Sequence, residues 1–382
     1  LKPRDRVLAA FEHREPDRVP IDLGGNVTSI HRVAYQRLLK HLGLPADTIT
    51  IADKVQQIVY PHEEVLKLFG VDFRRVALRP GSKADFRDRY DHPSGRPYFV
   101  DEWGIKWGKN PLYYDIIEHP LARAEVEDLD NYDWPDPYDP ARVEGLEREA
   151  KALYEETDYA VVAFSAGCAF FEIAWGLRGF QRLLMDMHVN PRFVDHLLDR
   201  LLKLFLGFYD VYLGAVGPYV QMIQFGDDYG MQNGPILSPR LFKRFIKPRL
   251  KRLYDYVHSH SEGLICHHTC GSVYELIPDL IEAGVDVLNP VQPRAAKMDG
   301  EVLKREFGQQ LVFHGGVDIQ RVLPFGTPQD VEAEARRVLK ALGPGGGYVF
   351  AGAHNIQSDT SPENIVTLFK AGRRFGRYPL GF

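Results

Sequence analysis

The sequence predicts an α/β fold, a (β/α)8 TIM barrel with an irregular insertion covering one end. Short β-branched runs recur along the 382 residues, most of them followed by longer stretches with helical periodicity. Such alternation implies parallel strands, because parallel neighbours need a crossover connection. The rival architecture, an open doubly wound sheet, usually carries a glycine-rich turn after its first strand. No GxGxxG or P-loop pattern occurs here.

Nine runs qualify as strands: 19–23, 48–52, 71–78, 159–164, 219–225, 263–268, 286–290, 310–314 and 347–351. A barrel has eight places, so one run should lie outside it. Helix starts are clearest in the second half. Ser238-Pro239 offers an N-cap and a first-turn proline before 240–259, and Thr327-Pro328 does the same before 329–342. Ser361-Pro362-Glu363 precedes a third such helix over 364–374. Between Pro80 and Asp139 the pattern degrades into proline, aspartate and aromatic residues. Two runs there, 97–102 and 105–107, suggest a hairpin around Gly104. This stretch reads as an insertion within one barrel domain spanning 1–382, where an aromatic such as Trp103 or Trp107 either packs or lines a pocket.

Composition limits the function classes. Hydrophobic residues make up 45% and charged residues 26%, as in an ordinary globular protein. With 47 basic and 52 acidic residues the net charge is −5, which argues against a nucleic-acid partner. No run approaches the roughly 18 consecutive apolar residues of a membrane helix. Three cysteines form no disulfide framework, so a reducing, cytoplasmic setting is expected.

In barrel enzymes the chemistry lies at the carboxyl ends of the strands. Strand 263–268 ends in His268-Thr269-Cys270, and residues two apart in an extended chain share a side. His268 and Cys270 can therefore converge, with Cys266 one layer deeper. An imidazole beside a thiol is half of a zinc site, although the same pair also occurs as simple packing. His354, just past the last strand, can complete a three-ligand set or act on substrate as a catalytic residue. Asp227 and Asp228 end strand 219–225 and suit a cation, a substrate proton or turn capping. Asn26, His31, His314 and Gln357 follow other strand ends and are substrate-binding candidates, His31 alone being as well explained by structure. The basic helix 240–259 reads as a solvated face, and 344–347, which precedes a strand, as a turn.

Several segments together resemble the uroporphyrinogen decarboxylase superfamily. They are Glu15-Pro16-Asp17-Arg18-Val19-Pro20, Phe225-Gly226-Asp227-Asp228, His268-Thr269-Cys270-Gly271, Gly315-Gly316-Val317-Asp318 with Gly326-Thr327-Pro328, and His354 with Pro362-Glu363-Asn364. The likeness spans nearly the whole chain, is weakest over 80–139, and implies a (β/α)8 barrel. True decarboxylases of the superfamily hold an acid-rich tetrapyrrole with arginines after the first strand. Here 21–29 has none, Trp175 falls near the family's tyrosine position and Asp228 near its serine. The other branch, cobamide-dependent methyltransferases, binds zinc through a His-x-Cys pair and a distant cysteine. His268 and Cys270 match that pair, and His354 stands where the distant cysteine would be.

The resemblance therefore implies methyl transfer between a small O- or S-methyl compound, or a thiol, and a corrinoid. Zinc on His268, Cys270 and His354 would serve as the Lewis acid. The chain has no cobalamin-binding DxHxxG motif, so a partner protein should supply the corrinoid. Two alternatives stay open: a decarboxylase acting on a small acid or a tetrapyrrole, and a non-catalytic corrinoid- or tetrapyrrole-binding protein. A homodimer is also open.

Overall fold

A computed structural model describes residues 1–381. In chain order the strands are β1 (Thr50–Asp53), β2 (Ile58–Tyr60), β3 (Phe73–Val76), β4 (Tyr98–Val100), β5 (Lys106–Lys109), β6 (Tyr114–Glu118), β7 (Ala160–Ala163), β8 (Met222–Gly226), β9 (Leu264–His268), β10 (Val287–Asn289), β11 (Val312–His314) and β12 (Tyr348–Val349). Seven of them form one sheet in the order β12-β11-β10-β9-β8-β7-β3, all neighbours parallel. Segment 19–23 joins its two edges. Ile21 pairs in parallel with Phe350, and the Asp72 amide donates to the Ile21 carbonyl at 2.9 Å. That segment fills the eighth place of the barrel. The ninth run is the expected outsider: Thr50–Asp53 pairs antiparallel with β2 in a separate hairpin.

The period of two decides what each strand buries. In β9, Cys266 joins Phe73, Val162, Met222, Val287, Val312 and Val349 in a cluster inside the barrel. Val7 and Phe11, on the amino-terminal helix Pro3–Phe11, belong to the same cluster. The alternate β9 residues face the helical layer. Ile265 lies in the outer core, and the His267 ring stacks on Tyr229.

The predicted caps are present. Thr327 accepts from the Asp330 amide while the Asp330 carboxylate accepts from the Thr327 amide, a full capping box. Ser238 caps as expected, but 240–259 is not one regular helix. Phe242–Ile246 is a π turn before the helix Lys247–His258. Pro248 gives the reason: it has no amide hydrogen to donate, and its ring crowds the carbonyl four residues back.

In the insertion, β4, β5 and β6 form a three-stranded antiparallel sheet. The expected hairpin is there, with Gly104 at φ +77°, and β6 extends it. The Asp101 carboxylate holds the turn by accepting from the Trp103 and Ile105 amides and from the Trp107 indole at 2.7 Å. Helix Phe170–Arg178 approaches this sheet so closely that a Cβ on Gly176 would lie 2.8 Å from Ile105. One helix, Pro191–Tyr219, is long and apolar enough to cross a membrane by length and composition. Its residues Phe193, Leu197, Leu201 and Phe205 are fully buried in the outer core.

Candidate metal and substrate site

The carboxyl ends of the strands open into a cavity of about 660 Å³. His268 and His354 lie on its floor, Asp228 and Glu172 beside them, and Trp103 and Trp107 line it from the insertion. The insertion therefore covers the carboxyl-terminal end of the barrel strands.

Three candidate ligands come together. The ligand atoms of His268, Cys270 and His354 all lie within 4.8 Å of one another. Cys270 Sγ is 3.2 Å from His268 Nε2, and the His268 and His354 rings meet edge to face at 5.2 Å. A tetrahedral zinc with bonds of about 2.0–2.3 Å holds its ligand atoms about 3.3–3.8 Å apart, so this set needs little adjustment. The donor set suits zinc chemically, and its protonation states suit a cation. Burial lowers the pKa of His268 although Asp228 opposes it. Burial, with His268 adding to it, lowers His354 to about 4. Both imidazoles are thus neutral and ready to ligate. Burial, then Asp228 and Glu172, push the Cys270 thiol well above its ordinary pKa. The acidic field that disfavours a thiolate would favour a bound cation, which must displace the thiol proton.

A model of the family described as "Uroporphyrinogen decarboxylase (URO-D)" matches residues 115–375. The chain belongs to the uroporphyrinogen decarboxylase family. Two curated members of similar sequence are the uroporphyrinogen decarboxylases of Neisseria gonorrhoeae and Psychromonas ingrahamii. The first is 22% identical over 272 residues, covering 68% of this chain and 70% of that protein. The second is 24% identical over 266 residues, covering 66% and 70%. Among solved structures, a methyltransferase from Methanosarcina mazei matches with a TM-score of 0.64 at 18% identity. It covers 98% of this chain and 99% of its own, and at that identity the match shows the shared fold.

The other predicted positions divide. Asp228 lines the cavity, where its Oδ1 accepts from the Cys270 amide at 2.7 Å and lies 3.7 Å from His268 Nε2. Asp227, its chain neighbour, is turned away. Fully buried, it accepts from the Phe171 and Glu172 amides and the Tyr229 hydroxyl, capping helix Phe170–Arg178. In this structure Asp227, read from the sequence as a catalytic candidate, serves as a helix cap. Asn26 lines the cavity. His31, His314 and Gln357 do not line it. His31 caps helix Arg32–His41 by accepting from the Val33 amide, and its Nε2 meets the Leu112 carbonyl. Gln357 accepts from the Tyr113 hydroxyl and so ties the insertion to the barrel. His314 lies buried beneath the site, against Asp22 and Asn289.

Glu172 was not anticipated. It lines the cavity, and burial followed by Asp228 and Asp227 raises its carboxyl well above the usual range. The sequence did hold a signal: Glu172 is the only ionisable residue in 169–177, an otherwise apolar stretch. Such an isolated acid in a buried helix needs a reason.

Proposed function

We propose that the protein is a corrinoid-dependent methyltransferase, moving a methyl group between a small O- or S-methyl compound, or a thiol, and a corrinoid carried by a partner protein. The convergence of His268, Cys270 and His354 beside the cavity carries this reading. Zinc held by these three residues would act as a Lewis acid, lowering the pKa of the substrate's oxygen or sulfur or improving it as a leaving group. The methyl group moves without its bonding pair. The heteroatom of a methyl donor keeps that pair when the corrinoid takes the methyl. A thiol acceptor instead supplies the pair for the new bond, loses its proton and leaves the old pair on the corrinoid. Asp228 and Glu172, which line the cavity, would hold or supply that proton. Trp103, Trp107 and Trp175 line the cavity, and their apolar faces would limit water at the reacting centre.

The charges in the cavity argue against the tetrapyrrole reading. Asp53, Asp101, Glu102, Glu172 and Asp228 line it, against a single arginine, Arg142, and no lysine among the described residues. Arg142 is already committed to Glu102 and to the carbonyls of Asp136 and Arg79. An acid-rich substrate would meet several carboxyls and no free cation. An uncharged methyl ether, thioether or thiol meets no such opposition.

The test is transfer between zinc-loaded protein and free corrinoid. Methylcobalamin consumption with a thiol panel, or cob(I)alamin methylation with a methyl ether and thioether panel, is expected with at least one compound. Absence of turnover in both directions, with carbon dioxide released from a small acid instead, would reject the proposal in favour of decarboxylation.

A further inference from the structure

We propose that Asn289 and His314 are positioning residues that fix the ring tautomer of His268, and so the direction of the lone pair it offers to a metal. The inference rests on the metal reading above, yet its first test needs no metal.

The hydrogen-bonded series starts below the site. Asp22 is fully buried, and Arg75 Nη2 donates to its Oδ2 at 2.6 Å. His314 Nε2 lies 2.9 Å from the same oxygen. A carboxylate paired with arginine only accepts, so His314 Nε2 carries the hydrogen. His314 Nδ1 faces the donating Asn289 Nδ2 at 2.6 Å and so accepts from it. The amide nitrogen also lies 3.4 Å from the His314 carbonyl, a second acceptor that holds the same orientation. An amide has one donating end and one accepting end. With Nδ2 turned to His314, Oδ1 faces His268 Nδ1. His268 must therefore carry its hydrogen on Nδ1, leaving Nε2 with a free lone pair. Nε2 is the atom that faces Cys270 Sγ.

Every member of this hydrogen-bonded series is nearly inaccessible, with relative exposures of 1% for Asp22 and His314, 0% for Asn289 and 5% for His268. The members come from segment 19–23, β11, β10 and β9, strands of the barrel wall. Water cannot replace a lost partner there, and a reversed tautomer would set two acceptors or two donors face to face. A ligand's hydrogen-bonded neighbour commonly changes metal affinity by about 10–100-fold.

The direct test labels the histidines with nitrogen-15 and records long-range nitrogen–proton correlations on metal-free protein. His268→Gln identifies the resonance. The expected result is a protonated Nδ1 and a lone-pair Nε2 on His268. An Nε2–H tautomer in the wild type would overturn the proposal. Zinc competition against a chelator supplies the second readout. Asn289→Leu should give mixed tautomers and bind zinc about 10–100-fold more weakly, with the number of zinc sites unchanged. Asn289→Asp keeps an acceptor towards His268 and, with its other oxygen protonated to donate to His314 Nδ1, should restore most of that affinity. Asn289→Ser replaces the leucine variant if that one does not fold. Folded leucine or serine protein with wild-type zinc affinity would also overturn the proposal. Should the wild type bind no zinc, the metal reading fails, and the tautomer alone decides the positioning claim.

Discussion

Glu172→Gln is the most informative single change for the electrostatics of the site. Glu172 is held in its neutral form by burial first and then by Asp228 and Asp227. In the unfolded chain the same carboxyl titrates near its ordinary value of 4.5. The folded pKa is raised, so the folded protein keeps a proton that the unfolded chain releases as pH increases. Glu172 therefore favours the folded state at and below about pH 4.5, and this contribution is lost as pH rises towards the folded pKa. While only the unfolded state has ionised, each proton held by the folded state gives a slope of about 1.4 kcal/mol per pH unit. The side-chain amide of the variant cannot titrate, so that slope should vanish in it. Urea unfolding of metal-free protein between pH 5 and pH 8 measures it. The stability curves of the two proteins should diverge as pH rises, with the variant gaining on the wild type. Parallel curves over the whole range would refute the placement of Glu172 as a half-buried, protonated acid.

Three further outcomes follow from the same geometry. His354→Cys exchanges a neutral donor for an anionic one and should tighten zinc binding in chelator competition, whereas His354→Ala should weaken it. Gly176→Val sets its Cβ 2.8 Å from Ile105; the overpacking should cost about 1–3 kcal/mol in urea unfolding. His258 has a raised pKa through its hydrogen bond to Asp286 at 2.9 Å. Its contribution should be complete below the unfolded histidine value near 6.5 and be lost as pH rises through the folded value. With the side chain 37% exposed, it should amount to at most about 1 kcal/mol. His258→Gln removes that pH dependence, which the same unfolding series reads.

The barrel was legible because its signal is collective. Any one apolar run is ambiguous, but runs alternating with capped helices leave few architectures. The surplus run, 48–52, could not be told from a barrel strand by composition. Its place outside depends on pairing with Ile58–Tyr60, a contact made only in three dimensions. Strand β6 was hidden because Tyr114-Asp115-Ile116-Ile117-Glu118 lacks simple alternation and sits among prolines and aspartates. In the site, His268 and Cys270 were readable because a two-residue spacing in a strand fixes a shared side. Asp227 and Asp228 were not separable, since neighbouring residues leave a strand in opposite directions and the turn decides which one faces inward. His31, His314 and Gln357 occupy loops and strand ends much as a ligand-binding residue would, and their roles as cap, buried link and tie to the insertion arise from distant partners. Asn289 gave no signal, because its importance lies in what its two amide ends touch.

The most direct test of metal-assisted methyl transfer is zinc content by inductively coupled plasma mass spectrometry, on wild type and Cys270→Ser purified with zinc present. Close to one zinc per wild-type chain and a large loss in the variant are expected. Folded wild-type protein that holds no zinc, or a variant that keeps it all, would contradict that mechanism.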